Sequence, residues 1–169
     1  MKKIKIIGAG LAGSEAALQL ADLGWKIELF EMRPKIQTPA HQTGDFAELV
    51  CSNSLKSQLI TTASGLLKKE MKLLGCKLLP IAEKFSVPAG NALAIDRDLF
   101  GKKITRIIES HPNIKVYREE FSGLTDDLTI IASGPLTSDK LTQNLIGTIG
   151  EQHLYFFDAI APIVSAESL

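Results

Sequence analysis

The stretch "KIKIIGAGLAGSEAALQLADLGWKIELFE", residues Lys3–Glu31, decides the fold. Lys3–Ile7 is a short β-rich run that stops at a glycine, the pattern of a buried strand. Leu11–Leu23 is rich in Ala and Leu, with Leu11, Leu18 and Leu20 among small neighbours, and reads as a helix. Gly24 closes it as a C′ residue. Lys26–Phe30 is a second strand and Glu31 follows it. Strand, glycine turn, helix and strand make a βαβ unit, whose parallel strands need the helix as crossover.

The turn itself is "GAGLAG", with Gly8, Gly10 and Gly13 in the spacing G-x-G-x-x-G. The first glycine permits the tight turn, the second lets the backbone approach a pyrophosphate, and the third lets helix and strand pack closely. The main chain of Gly8, Ala9, Gly10, Leu11, Ala12 and Gly13 is therefore a candidate diphosphate cradle, on the positive end of the helix. Glu31 comes 18 residues past Gly13, where a carboxylate accepts hydrogen bonds from an adenosine ribose. An acid there favours a free 2′-hydroxyl over the 2′-phosphate of NADP. Glycines alone are weak evidence; their place between a strand and a helix, with the acid at the right distance, makes this a dinucleotide site.

Further along, residues 33–61 lack any sustained period and carry two prolines, the mark of a long functional loop. A helix is expected over Ser64–Leu74, with Leu66, Leu67, Met71, Leu73 and Leu74 inward and Lys68, Lys69 and Lys72 in water. A short helical turn follows around Pro80, and a short strand spans Ala92–Ile95. Asp96 is placed to cap a helix from Arg97 to Glu109, with Leu99, Ile104, Ile107 and Ile108 on its apolar face. Ile114–Glu119 and Leu128–Gly134 read as two more strands, and "SDKLTQNLIGTIG" as a last helix. The chain is one α/β domain of 169 residues, Rossmann-like, with no internal repeat.

Composition narrows the function. Charged residues make up 22% and hydrophobic ones 45%, with zero net charge, so no basic excess points to nucleic acid or an anionic membrane. Cys51 and Cys76 fall short of a disulfide framework, and no metal-type spacing joins them to the three histidines. The apolar run Ile4–Ile7 is too short for a signal sequence, and no stretch reaches membrane-spanning length. A cytoplasmic soluble protein with no metal is expected.

FAD is favoured over NAD as the resident cofactor. A nicotinamide enzyme usually runs from the acid straight into another helix and strand, whereas this chain enters the long segment containing Cys51. "LTIIASGP", which includes Gly134, resembles the strand and small-residue motif by which glutathione-reductase-type flavoproteins pass close to their FAD.

"GAGLAGSEAA", "FEMRP", "TPAH", "FAELVCSNSL", "VPAGNALAIDR" and "ASGPLTS" together resemble the folate-dependent flavoprotein tRNA (uracil-5-)-methyltransferases, the TrmFO or small Gid family. The resemblance continues to "YFFDAIAPIV" near the end of the chain. It implies transfer of the methylene of 5,10-methylenetetrahydrofolate to C5 of uridine in the tRNA T-loop, or in ribosomal RNA for some relatives. Reduced FAD, regenerated by NAD(P)H, supplies the electrons. It also implies that Cys51 works at the flavin, either attacking the uracil or positioning a flavin-bound methylene; a thiolate at C6 would make C5 nucleophilic. From the residues alone, Cys51 reads as a small structural residue, although Ser52, Asn53, Ser54 and Lys56 could assist a thiolate. Cys76 is expected in the core.

Four further positions carry paired readings. Arg33 either lies over the adenosine end of FAD or is a surface charge. His41 either meets folate or flavin or is solvated. Arg97 either serves the flavin or sits in the first turn of its helix. Asn53 either touches the flavin ring or makes an Asx turn.

Members of that family are longer, continuing into an insertion domain with a second important cysteine and then a returning FAD-binding segment. The expectation is therefore an N-terminal segment, residues 1–169, of an incomplete FAD-binding domain, inactive alone. The alternatives are a fragment of the large Gid proteins that modify the tRNA wobble uridine, a small NAD-binding oxidoreductase, and a non-catalytic module that pairs with a separately encoded C-terminal remainder.

Overall fold

The computed structural model describes residues 2–150. The segment "YFFDAIAPIV" and the closing "SAESL" lie outside the described residues. The opening unit forms as the sequence dictates: β1 (Lys3–Ile7), α1 (Leu11–Asp22) and β2 (Lys26–Phe30). β6 (Ile114–Tyr117) and β7 (Thr129–Ile131) complete a four-stranded sheet in the order β6-β2-β1-β7, with every pairing parallel. In register, Ile6 stands beside Leu29 on one side and Ile130 on the other. Because such strands are covered by neighbouring elements, their apolar residues are near-continuous, and Ile4, Ile6, Ile7, Ile27 and Leu29 are all buried.

Small residues set the helix-to-sheet distance. The buried face of α1 is Gly13, Ser14, Ala17, Leu18 and Ala21, and Gly24 adopts the left-handed φ of +83° that ends the helix. α4 (Arg97–Glu109) packs Phe100, Gly101, Ile104 and Ile108 inward. Its N-cap is Asp96, whose side chain accepts from the Leu99 N–H at 3.0 Å, as expected. Leu99 does not join the core; in the first turn it faces outward and is 50% exposed.

A second, three-stranded antiparallel sheet forms around the strand expected at Ala92–Ile95, which lies at its centre; its two outer strands were not legible in the sequence. It consists of β3 (Ser54–Ser57), β4 (Ser86–Val87) and β5 (Ala92–Ile95). Between β3 and β4 lie α2 (Ala63–Leu73) and α3 (Leu78–Lys84). The inward leucines expected on α2 are corrected: Leu66, Leu67, Leu73 and Leu74 are 46%, 55%, 76% and 84% exposed. The helix docks by Gly65, where a Cβ would stand 1.9 Å from the Leu59 carbonyl oxygen, so the glycine face and not the leucine face is turned inward. Lys68, expected in water, is half-buried and donates to the carbonyls of Ser57 and Ser64.

The long segment after β2 is irregular but firmly held. Phe46, Ala47 and Leu49 are buried in the main core. Ala47 N–H donates to the Ala9 carbonyl at 2.9 Å, which fastens the loop to the glycine turn. Arg118, just past β6, donates to the carbonyls of Arg33 and Gly44 and lies 3.9 Å from the Phe46 ring centroid. The final strand pairs over three residues only, then passes through a short 3₁₀ turn (Gly134–Leu136) into α5 (Asp139–Ile149). Among the described residues, no helix is long and apolar enough to cross a membrane.

Candidate dinucleotide site

β1 connects to β2 on one side, while β7 enters on its other side from across the sheet. Ligands in open α/β sheets lie at such a switch point, outside the carboxyl ends of the strands. A cavity of about 330 Å³ opens there, lined in part by Gly8, Gly10, Glu31, His41, Ser133 and Gly134.

The three turn glycines have separable physical roles. Gly8 has φ +94°, and a Cβ on it would meet the Ala132 carbonyl oxygen at 2.6 Å. At Gly13 a Cβ would stand 1.8 Å from the Gly8 carbonyl oxygen, so α1 can rest on the turn only without a side chain. Gly10 meets nothing within 4 Å, and its backbone is extended and provides α1 with no side-chain cap. The first-turn N–H groups lack intrahelical acceptors, and the open space over Gly10 lets a diphosphate reach them. These residues fit the diphosphate of a dinucleotide.

Glu31 is buried, at 6% exposure, and its carboxylate is fully engaged. One oxygen accepts from the Ala9 N–H at 3.0 Å and from Arg33 Nη2 at 3.1 Å. The other accepts from the Arg33 backbone N–H at 3.1 Å and from Nε at 2.9 Å. A carboxylate has about four lone-pair sites, so a ribose hydroxyl would share or displace one of these bonds. Burial pushes the Glu31 carboxyl up, but the Arg33 guanidinium and the Ala9 N–H outweigh it and hold it below the ordinary range.

Arg33 is no surface charge: it is 2% exposed. Its guanidinium bridges Glu31 and Glu48, with Nη1 donating to the Glu48 carboxylate at 2.9 Å. Glu48 also accepts from the Gln42 and Thr43 N–H groups and the Thr43 hydroxyl. Burial works against its ionisation, and these donors overcome it and lower its pKa. The Glu31–Arg33–Glu48 chain thus ties the loop to the turn. His41 lines the same cavity with its Nδ1 2.6 Å from the Thr38 hydroxyl; burial and then Arg33 push its pKa down.

The remaining candidates fall in different places. Gly8, Gly10, Leu11, Ala12, Glu31, Arg33 and Gly134 line the cavity. Ala9 is buried and contributes its N–H to Glu31. Gly13 packs behind the turn. Cys51 is exposed and lies outside the cavity, although its neighbour Val50 lines it. Ser52 and Ser54 hydrogen-bond within their own segment, and among the described residues none donates to the Cys51 sulfur. Asn53 sits with Arg97 at a separate surface depression, and its carbonyl accepts from the Ile95 N–H. Cys76 packs against the core as expected, its thiol 3.3 Å from Glu15; burial and then Glu15 outweigh nearby N–H donors and push its pKa up. Sequence reasoning missed Phe30 and Phe121, which pack edge to face at 4.7 Å on the cavity wall. No local pattern marks Phe121, because only the tertiary fold brings it to β2. Among the described residues no cluster of His, Cys, Asp or Glu is arranged to hold a metal.

The family model described as glucose inhibited division protein A matches residues 3–169. The chain belongs to that family. It is 54% identical over 168 residues to a protein of Sulfurihydrogenibium sp. (strain YO3AOP1) named methylenetetrahydrofolate--tRNA-(uracil-5-)-methyltransferase TrmFO. Proteins of the same name from Persephonella marina and Koribacter versatilis are 56% and 58% identical over 171 and 169 residues. These alignments cover 99–100% of this chain but only 38–39% of the relatives. The resemblance read from "FEMRP" and "FAELVCSNSL" is thereby borne out. Among solved structures, Aquifex aeolicus GidA superposes with a TM-score of 0.57 at 18% identity, covering 73% of this chain and 20% of that one. This supports the expected α/β fold of the family.

Proposed function

We propose that residues 1–169 form the segment of an FAD-binding domain that grips the cofactor diphosphate in a folate-dependent tRNA (uracil-5-)-methyltransferase. The reaction is transfer of a methylene from 5,10-methylenetetrahydrofolate to C5 of a T-loop uridine, with NAD(P)H as the source of electrons, in the cytoplasm. The observation that carries this is the 54–58% identity, over essentially the whole chain, to relatives of that name. The open, uncapped α1 terminus over Gly10 supports the diphosphate assignment.

Gly8, Ala9, Gly10, Leu11, Ala12 and Gly13 form the cradle; Glu31, oriented by Arg33, marks the adenosine end; Gly134 closes the opposite wall. Cys51 acts as the nucleophile at the uracil ring, one residue beyond the cavity wall at Val50 and exposed to an incoming base. When bound, FAD supplies the redox chemistry that turns the methylene into a methyl group.

The test has two parts. Purified chain is incubated with FAD or NAD and passed through a desalting column, and retained flavin with no retained NAD is expected. Labelled methylenetetrahydrofolate, NAD(P)H and unmodified tRNA are then supplied, with ribosomal RNA in parallel. We expect methylation of T-loop uridine once a second chain supplies the portion of the relatives not matched here. Retention of NAD without flavin, or transfer to ribosomal RNA alone, overturns the reading.

A further inference from the structure

The segment "LLKKEMKLL", Leu66–Leu74, is nearly palindromic about Glu70, and it forms most of α2 with its C-cap. At about 100° per residue, Leu66 and Leu74 lie about 40° to either side of Glu70, and Leu67 and Leu73 about 60° to either side. Two leucine pairs at i,i+7, Leu66 with Leu73 and Leu67 with Leu74, therefore flank one carboxylate. All four leucines are exposed, because the helix docks on the fold by Gly65. The ends of Lys68 and Lys72 are taken elsewhere: Lys68 donates to the carbonyls of Ser57 and Ser64, and Lys72 pairs with Glu83.

Such a surface is its own complement. When a second α2 packs antiparallel across a two-fold axis at Glu70, Leu66 meets Leu73 of the second copy and Leu67 meets Leu74 of the second copy; symmetry supplies the reciprocal contacts. Antiparallel packing also sets opposite helix dipole ends side by side. At their exposures the four leucines present roughly 500 Å² per protomer, so the pair buries roughly 1,000 Å² in all, which reaches the threshold of a specific interface but not the standard size of about 1,600 Å². Glu70 is the one member of the stripe that opposes pairing, since the axis sets it against Glu70 of the second copy. The area and this like-charge contact together make the contact weak and reversible.

On its other flank α2 borders an apolar groove of about 680 Å³ beside α1, lined in part by Lys56, Leu67 and Met71. Leu67 belongs to both the groove and the stripe, so a second copy adds its Leu74 to the rim of that groove.

We infer that α2 is a homodimerisation helix, pairing with α2 of a second copy of this chain about a two-fold axis at Glu70. A two-fold contact closes on itself, so assembly stops at two.

Sedimentation equilibrium of the purified chain at rising concentration tests this. A reversible monomer–dimer equilibrium with no larger species is expected. Leu66→Glu/Leu73→Glu should weaken dimerisation at least tenfold while the circular dichroism spectrum stays that of the wild type, because both side chains are exposed. The deciding sample is wild type mixed with a fluorescently labelled Glu70→Lys variant. The axis then sets a carboxylate against an ammonium, and the heterodimer should form at least fivefold more tightly than either homodimer. Any sticky leucine patch would respond to the first substitution; only a two-fold register at residue 70 predicts the second result. A chain that is monomeric at every concentration, or a mixture with no preference for the heterodimer, overturns the inference. So does a chain that stays monomeric and pairs through α2 only with a second chain supplying the portion of the relatives not matched here.

Discussion

Gly10 and Gly13 belong to one motif, yet a single methyl group has opposite consequences at the two. At Gly13 it would collide with backbone at 1.8 Å, so Gly13→Ala should lower stability by about 1–3 kcal/mol in urea denaturation and abolish ADP binding. At Gly10 it meets open space, and because glycine is a better N-cap than alanine the exchange should cost about 0.5–1 kcal/mol. Gly10→Ala should therefore lower the unfolding midpoint less than Gly13→Ala does, and weaken ADP at least tenfold by blocking the diphosphate. Equal loss of both properties in Gly10→Ala would remove the ligand argument. Arg33 is the other decisive residue. Arg33→Met leaves the buried Glu31 carboxylate without its guanidinium partner, with only the Ala9 and residue-33 N–H groups as donors, and the expected cost is about 3–5 kcal/mol by denaturant titration. A cost below about 1 kcal/mol would mean that the bridge is solvated.

Elements are terminated by local chemistry and positioned by distant chemistry. Asp96→Ala removes the side-chain cap of α4 and should cost about 1 kcal/mol, read as a lower denaturation midpoint. α3 is capped differently: its own N-cap, Lys77, makes no side-chain cap bond, and Glu15 on α1 accepts from the Lys77 and Leu78 N–H groups. Burial opposes the Glu15 charge, but those N–H groups and Gln19 hold its pKa below the ordinary value. Asp96 stands directly before its helix and was readable in the sequence. Glu15 lies 62 residues from Lys77 and was not. α2 shows the same division: its period and bounds were legible, but which face docks depended on Gly65 meeting Leu59.

At the scale of the molecule, acid stability follows from the coupled carboxylates around Arg33. Glu31 and Glu48 have lowered pKa values in the folded chain. Their contribution is fully present above the unfolded carboxylate value of about 4.3 and is lost as pH falls through their lower folded values. Equilibrium unfolding followed by circular dichroism should show this loss below about pH 4, and Arg33→Met should flatten it. An unchanged acid limb in that variant would place the dependence elsewhere. The exposed row of Leu66, Leu67, Leu73 and Leu74 forms an apolar surface on one helix. Such surfaces promote association, and Leu73→Glu/Leu74→Glu should reduce concentration-dependent light scattering without shifting the unfolding midpoint.

By itself the sequence determined the βαβ unit, the diphosphate turn and the Asp96 cap, because each is encoded by residues within a turn or two of one another. Its motifs also sufficed to mark the family. Only the tertiary structure decided that Arg33 is buried between two acids, that Cys51 stands outside the cavity, and that a small antiparallel sheet brings Lys56 to the groove beside α1. Those outcomes depend on groups far apart in the chain, whose burial and charge pairing exist only after the backbone has closed around them.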